Sequence, residues 1–222
     1  MTDHDADRPT GRRYLGQSQA QRAHHRRQML LDAALEVFGT QGYPAGSVKN
    51  LCGAAGLTER YFYESFRDRE ACLAALYAEL TAQLQDRTLR AIDAAAALET
   101  MIDAGLTAFV GYLTDDPRRA KVVLIEVVGV SAQMEQRRHA VLREYAELIA
   151  SIWATARSQP LSLHERLTCV AVVGGINHLL VDWLLDGRTD APAELVKVCA
   201  ALFAAVRATD PALAGELPPH VQ

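Results

Sequence analysis

Residues 47–66, SVKNLCGAAGLTERYFYESF, restrict this chain more than any other stretch, because they read as two short helices joined by a tight turn. Ser47 is placed to cap the first helix by accepting a backbone N–H, and Val48, Leu51 and Cys52 then recur at helical spacing. Gly56 stands where that helix has to stop, and glycine enters the left-handed conformation of the closing residue without a steric cost. Leu57 fills the corner and Thr58 caps the second helix. Phe62 and Phe66, four residues apart, give that helix one buried stripe. Its other faces carry Glu59, Arg60, Tyr61, Tyr63, Glu64 and Ser65, none of which has a packing role at its phase.

Two crossed helices with a glycine turn and a polar, aromatic second helix are the arrangement that places side chains in a DNA major groove. The charge distribution agrees with such a use. The net charge of the 222 residues is −4, yet segment 11–69 carries nine basic residues against five acidic ones, +4. Residues 1–10 contribute −2, which leaves −6 on residues 70–222. A basic small unit on an acidic larger one suits a protein of which one end meets phosphate.

The rest of the chain predicts an all-α fold. Alanine and leucine dominate, half of the residues are apolar, and no pair of turn-bounded alternating strands occurs. The pattern predicts a first helix over 21–40, closed by Gly39 and Gly42, and then the helix-turn-helix. A long helix from Arg69 into the 90s follows, then helices over 98–113, 117–129, 131–158, 162–186 and 192–208. Residues 1–20 form a polar and basic flexible arm, 21–68 the helix-turn-helix domain, 69–210 a helical bundle, and 211–222 a loose proline-rich tail. No apolar run reaches the roughly 18–20 residues that span a bilayer, and the N-terminus lacks a signal-peptide core, so a cytoplasmic protein without a membrane partner is expected. Cys52, Cys72, Cys169 and Cys199 are far apart in apolar helical contexts and read as inert thiols. No metal-ligand spacing, phosphate loop or nucleophile motif occurs, so neither a catalytic site, a metal nor a cofactor is expected.

The spaced positions over residues 22–75 resemble the TetR family of bacterial transcriptional regulators. They are Ala34, Leu35, Phe38, Gly42 and Tyr43, then Ser47, Val48, Leu51, Ala55, Gly56, Leu57 and Thr58. Phe62, Tyr63, Phe66, Arg69, Glu70 and Leu73 complete them. The resemblance implies a homodimer with an N-terminal three-helix DNA-binding unit and a C-terminal helical domain for dimerisation and ligand binding. It implies double-stranded, palindromic operator DNA as one partner and a small-molecule effector as the other, with repression relieved by the effector. An activator of the same fold, or a helical enzyme or carrier, are the rival readings.

At the DNA end the first turn of the recognition helix carries the base readers. Arg60 is suited to guanine O6 and N7, Glu59 to cytosine N4, and Tyr61 to a thymine methyl. The plainer reading leaves Glu59 complementing the helix dipole and Arg60 paired with Glu64. Ser47, Lys49, Thr58 and Ser65 flank this face, with Ser47 and Lys49 placed for phosphate. By resemblance, Tyr63 and Arg69 stand where family members contact phosphate. Arg12, Arg13, Arg22, Arg26 and Arg27, with His24 and His25, form a candidate arm along the DNA.

At the sensing end the candidate ligand wall is Phe109, Tyr112, Glu126, Met134, Tyr145, Trp153 and Trp183, with Leu106, Val122, Ile125 and Ile149. Glu126 interrupts the run VVLIEVVGV, and a carboxylate buried there needs a partner, either an arginine across the domain seam or a ligand. The segment AVVGGINHLLVDWLL is apolar around most of its circumference, as in a dimer interface. Val170, Gly174, Asn177, His178, Val181 and Leu202 are the interface candidates, with His178 and Asp182 forming an i,i+4 pair.

Overall fold

The computed structural model describes residues 18–208, and every element in that range is helical. The N-terminal unit is α1 (Gln19–Gln41), α2 (Val48–Ala55) and α3 (Glu59–Ser65). A long α4 (Arg69–Asp93) leads into α5 (Leu98–Asp115) and a short α6 (Pro117–Lys121). A π-helical turn, Val122–Glu126, comes next, followed by α7 (Ala132–Arg157), α8 (Leu163–Leu185) and α9 (Pro192–Ala208). Arg12, Arg13 and most of the expected 1–20 arm lie outside the described residues, as does the 211–222 tail. Ser18, at the end of the arm, is the N-cap of α1.

The small unit folds around Leu30, Ala34, Phe38, Leu51 and Phe62, none of which retains any exposure. Ser47 accepts the Asn50 N–H at 3.1 Å as a helix cap, and Gly56 closes α2 at φ +64°. Such a cap is worth about 1 kcal/mol. Asp68 caps α4 through the Ala71 N–H (2.7 Å), so the connecting helix has a firm start directly after the recognition helix. In the larger unit α4 lies along α5, α9 packs on α5, and α7 and α8 form an antiparallel hairpin closed by Ser158 and Ser162.

The two units meet along the C-terminal end of α1. Gly39 was expected to help close α1, but it lies inside the helix, buried against α6; Gly42 (φ +89°) is the closing residue. A Cβ on Gly39 would stand 2.5 Å from the Cβ of Arg118, so only glycine permits this approach. Arg118 bridges Glu36 (2.5 Å) and Asp116 (2.8 Å), and these hydrogen bonds hold the Asp116 carboxyl below the usual carboxylate range. Lys121 donates to the Thr40 carbonyl (3.0 Å).

The single helix expected over 117–129 is broken. The π turn starts at Val122, and Gly129 adopts φ +72° before Ser131 caps α7. A π turn inserts one surplus residue into the helical path. Within this turn Val122, Val123 and Leu124 are buried, and Glu126 reaches the Tyr43 amide in the turn after α1.

α8 is long and apolar enough to satisfy the length and composition of a membrane span, although no uninterrupted apolar run does so. Its apolar side chains are divided between a buried face (Cys169, Val172, Ile176, Leu180, Trp183) and an exposed stripe (Leu163, Leu167, Val170, Leu185).

All four cysteines are free and buried, and burial raises each thiol, Cys72 to about 12 and Cys169 to about 11. The thiolate fraction of each is therefore below that of a free thiol, and with all four side chains buried a disulfide reagent is expected to label the native protein only after denaturant exposes them. Fast labelling of the native chain would contradict this burial. Gly39→Ala gains about 1 kcal/mol of helix propensity but collides with Arg118, so a net fall in melting temperature is expected by calorimetry.

Candidate nucleic-acid interface and ligand cavity

The recognition helix α3 has seven residues, too few to persist alone, so its position is fixed by what it leans on. Phe62 anchors it in the core, with Phe66 at 5.7 Å and the edge of Tyr63 at 5.4 Å. From α1, Arg27 donates to the Ser65 carbonyl (3.0 Å) and lies 4.3 Å over the Phe66 ring. Arg26 lies 4.5 Å over the Tyr61 ring and 3.7 Å from Glu64. Arg26 and Arg27, expected in a DNA-following arm, thus prop the helix instead, because α1 is already formed there and crosses α3. Arg22, His24 and His25 are exposed on the first turns of α1.

What remains free is the outward face. Glu59, Lys49 and Thr58 are exposed, and the Thr58 side chain makes no capping hydrogen bond. Arg60 is 83% exposed and its Nε donates to Glu64 at 3.0 Å. An exposed i,i+4 pair of this kind is worth about 0.3–0.5 kcal/mol. A bidentate guanine contact is worth about 1–3 kcal/mol, so the pair does not hold Arg60 back from a base. Tyr61 is half-buried under Arg26, which limits it to the edge of this face.

A shallow open groove lies beside α3, lined by Tyr43, Ser47, Val48, Tyr63, Arg67, Asp68, Arg69 and Glu70. It brings the Ser47 cap and the 57%-exposed Tyr63 together with Arg67, a cation that the sequence reading passed over. Arg67 is exposed and engaged only with its neighbour Asp68 (3.0 Å). Arg69 has a different task from the one expected. Its Nη1 donates to the carbonyls of Tyr43 (3.0 Å) and Gly46, and its guanidinium stacks 4.6 Å over the Tyr43 ring. It therefore clamps the α1–α2 turn from the first residue of α4.

The same turn is held from the other side by Glu126. Its carboxylate, 9% exposed, accepts the Tyr43 N–H at 2.6 Å and lies 3.8 Å from Lys121. Across the seam the Tyr43 amide stands where an arginine was expected, and Lys121, five residues before Glu126 in the same unit, supplies the nearby positive charge. A carboxylate so placed can move only if Tyr43 moves with it or loses a charge-assisted bond.

The large unit holds a cavity between α4, α5, α7 and α8, with about 1040 Å³ of empty space including its open mouth. Of this, about 120 Å³ is space that the centre of a water-sized sphere can reach. Phe109, Tyr145 and Trp153 line it, with Leu106 and Ile149. The π turn adds Val123 and Leu124, where Val122 and Ile125 had been expected. Four other expected wall residues are elsewhere. Tyr112 donates to Gln83 (2.8 Å) beneath Arg119, and Met134 is core at the start of α7. Trp183 donates to the Asp190 carbonyl (3.0 Å), pinning the α8–α9 connection, and Glu126 is at the seam.

Among the interface candidates, Asn177 lines the cavity. Val170, Gly174, His178 and Leu202 are exposed, with His178 3.6 Å from Asp182 and a Cβ on Gly174 meeting open space. Val181 is half-buried. No group of His, Cys, Asp and Glu able to hold a metal occurs among the described residues.

The polar contents of the cavity wall are few. Among the described residues Arg138 is the one charged group on the wall, and Tyr77, Thr88, Tyr145 and Asn177 supply other side-chain polar atoms. The sequence reading missed Arg138 although it lies seven residues before Tyr145, on the same face of α7. Burial pushes the Tyr77 phenol up to about 12 and the Tyr145 phenol higher still, so both are neutral donors at physiological pH. The Tyr145 hydroxyl is fully buried and makes no hydrogen bond of ordinary geometry; its neighbour Thr88 donates to the Leu84 carbonyl (2.8 Å). An unsatisfied hydroxyl costs about 1–3 kcal/mol.

Residues 30–76 match the profile of the bacterial regulatory proteins, tetR family. The chain is 23% identical over 163 residues to the fatty acid metabolism regulator protein of Bacillus subtilis, covering 72% of this chain and 84% of that one. It is 25% identical over 173 residues to the HTH-type transcriptional regulator AcrR of Shigella flexneri, covering 74% and 80%. The structure of the regulator FadR from Bacillus subtilis in complex with stearoyl-CoA superposes with a TM-score of 0.70 at 20% identity, covering 81% of this chain and 96% of that one.

Arg69→Lys keeps the charge but loses the planar fork that serves two carbonyls and the Tyr43 ring. It is expected to cost about 1–3 kcal/mol of stability in urea titrations without DNA. A variant as stable as the parent would return Arg69 to the role of a simple phosphate contact.

Proposed function

The chain belongs to the TetR family of bacterial regulatory proteins, and on that premise we propose that it is a homodimeric cytoplasmic repressor released from a palindromic operator by a small apolar or amphipathic effector. The observation that carries this reading is the outward face of α3. Thr58, Glu59 and Arg60 are exposed on a helix whose other sides are propped by Arg26, Arg27 and Phe62. A side chain that is free on a rigid support is what direct base reading requires. We assign sequence reading to Arg60 and Glu59, with Tyr61 at the margin. Ser47, Lys49, Thr58, Tyr63 and Ser65 flank it as backbone contacts, joined by Arg67, while Arg69 acts through the turn it clamps.

The exposed apolar stripe of α8 (Leu163, Leu167, Val170, Leu185) lies beside Val198 and Leu202 of α9, with Leu202 close to Gly175. A second copy is its occupant, and Gly174, His178 and Val181 share that face. Two recognition helices about 34–36 Å apart then enter successive major grooves.

The effector enters the cavity between α4, α5, α7 and α8; the complex of the FadR relative with stearoyl-CoA supports an occupant with a long apolar body. Its effect reaches the DNA end along two paths. α4 carries cavity residues Tyr77, Leu84 and Thr88 and begins at Arg69. The π turn carries Val123 and Leu124 and ends at Glu126. Both paths terminate on the Tyr43 turn. An effector shifts operator affinity only as far as it prefers one arrangement of that turn.

The test is fluorescence anisotropy with the DNA upstream of the gene at two salt concentrations. Sequence-selective, salt-dependent binding is expected, and its absence would leave a helical carrier as the reading. Arg60→Ala is expected to lower operator affinity by about 1–3 kcal/mol while leaving random DNA little affected. An equal loss on both DNAs would make Arg60 a phosphate contact.

A further inference from the structure

We propose that the cavity selects an amphipathic carboxylate, its acid group accepting a hydrogen bond from Tyr145 and matched in charge by Arg138, with its apolar body running toward Trp153 and Phe203. The inference rests on the effector site proposed above and deepens it by fixing the head group and the direction of the ligand.

The cavity is polar at one end only. α7 runs its length, contributing Arg138, Val141, Leu142 and Tyr145 and then Leu148, Ile149, Ile152 and Trp153. Every polar residue on that list precedes Leu148. Tyr77 of α4 interacts electrostatically with both Arg138 and Tyr145, which puts it at the same end. The α7–α8 hairpin is antiparallel about Ser158 and Ser162, so Asn177 comes level with the Tyr145 end as well. From Tyr145 to Trp153 the wall is apolar for about 12 Å along the helix, ending where the Trp153 and Phe203 rings meet at 6.2 Å. Phe109, 5.2 Å from Tyr145 and edge-on to it, flanks the junction between the two ends.

The sign of the head group follows from the charges. Among the described residues of the wall Arg138 is the one charged group, while Glu135 and Glu144 act on Tyr77 from outside the lining. Glu135 pairs with the Arg138 Nε (3.1 Å) and is itself engaged by the Gly129 N–H (2.8 Å). A cationic head is repelled by the Arg138 guanidinium on the wall, whereas an anionic head is attracted to it. The demand for an oxygen acceptor comes from Tyr145, whose buried hydroxyl is a donor with nothing to donate to. Thr88 stands beside it with its own proton donated to Leu84, but no hydrogen bond of ordinary geometry joins the two hydroxyls, so a ligand oxygen has the better claim on the Tyr145 proton. A carboxylate oxygen answers both requirements at once, and a neutral alcohol answers only one.

Isothermal titration of the full chain with dodecanoate, dodecanol and dodecylamine separates these requirements, because the three share one chain and differ in head group. Dodecanoate is expected to bind about tenfold or more tighter than dodecylamine, with the alcohol between them. Tyr145→Phe is expected to weaken dodecanoate about tenfold while the ligand-free melting temperature stays level or rises, since the substitution removes only an unsatisfied group. Arg138→Gln is expected to abolish the preference for the acid over the alcohol. The proposal is overturned if the amine binds as well as the acid, if none of the three binds, or if Tyr145→Phe lowers the melting temperature and spares the affinity. Binding with these signatures but without loss of operator affinity would uphold the site and sink the repressor reading.

Discussion

One hydrogen bond sets the relation between the two halves of this molecule: the Glu126 carboxylate accepting the Tyr43 amide at 2.6 Å. A carboxylate at 9% exposure is costly to bury, and Tyr43 with Lys121 are what offset that cost. Gly42 has no side chain because a Cβ there would lie 3.3 Å from both carboxylate oxygens, and Gly39 has none because Arg118 occupies the space. Arg69 then fixes the far side of the same turn. A handful of polar contacts around residues 39–46 thus fixes the DNA-binding unit on a core that the two units share.

The recognition helix inherits its rigidity from elsewhere. A helix of seven residues is below the length that persists in water, so the aromatic core and two arginines of α1 hold it in place. This explains why basic residues that look available in the sequence are not equivalent. Arg26 and Arg27 are consumed by Tyr61, Glu64, Ser65 and Phe66, while Arg60 and Arg67 have only weak, exposed acidic partners.

The all-α class, the caps at Ser47 and Asp68 and the glycine turn at Gly56 were legible in the sequence, because each depends on residues within a few positions of one another. The π turn was not. Its apolar residues have good helical spacing, and what breaks the spacing is a contact with α1 some eighty residues earlier. Aromatic type was a poor guide to the cavity for a related reason. Tyr112 and Trp183 carry polar groups that find partners in the fold, whereas Tyr145 carries one that does not. Arg138 was passed over because charge suggested a solvated face, although its spacing from Tyr145 placed it inside. Asn177 was read with the exposed stripe of α8, yet it lines the cavity while His178, one residue and about 100° further on, is exposed.

The π turn also restricts how this chain can vary in length. Removing one residue between Val122 and Glu126 would let the segment relax into ordinary α-helix, locally the more comfortable geometry. The wide turn absorbs the surplus residue, so the chain beyond it would keep its phase and the loss would fall on the turn itself. Val123 and Leu124 on the cavity wall and Glu126 against Tyr43 could not all keep their places over one residue fewer. A single deletion at this site would ease the local backbone and loosen the tie between the cavity wall and the Tyr43 turn.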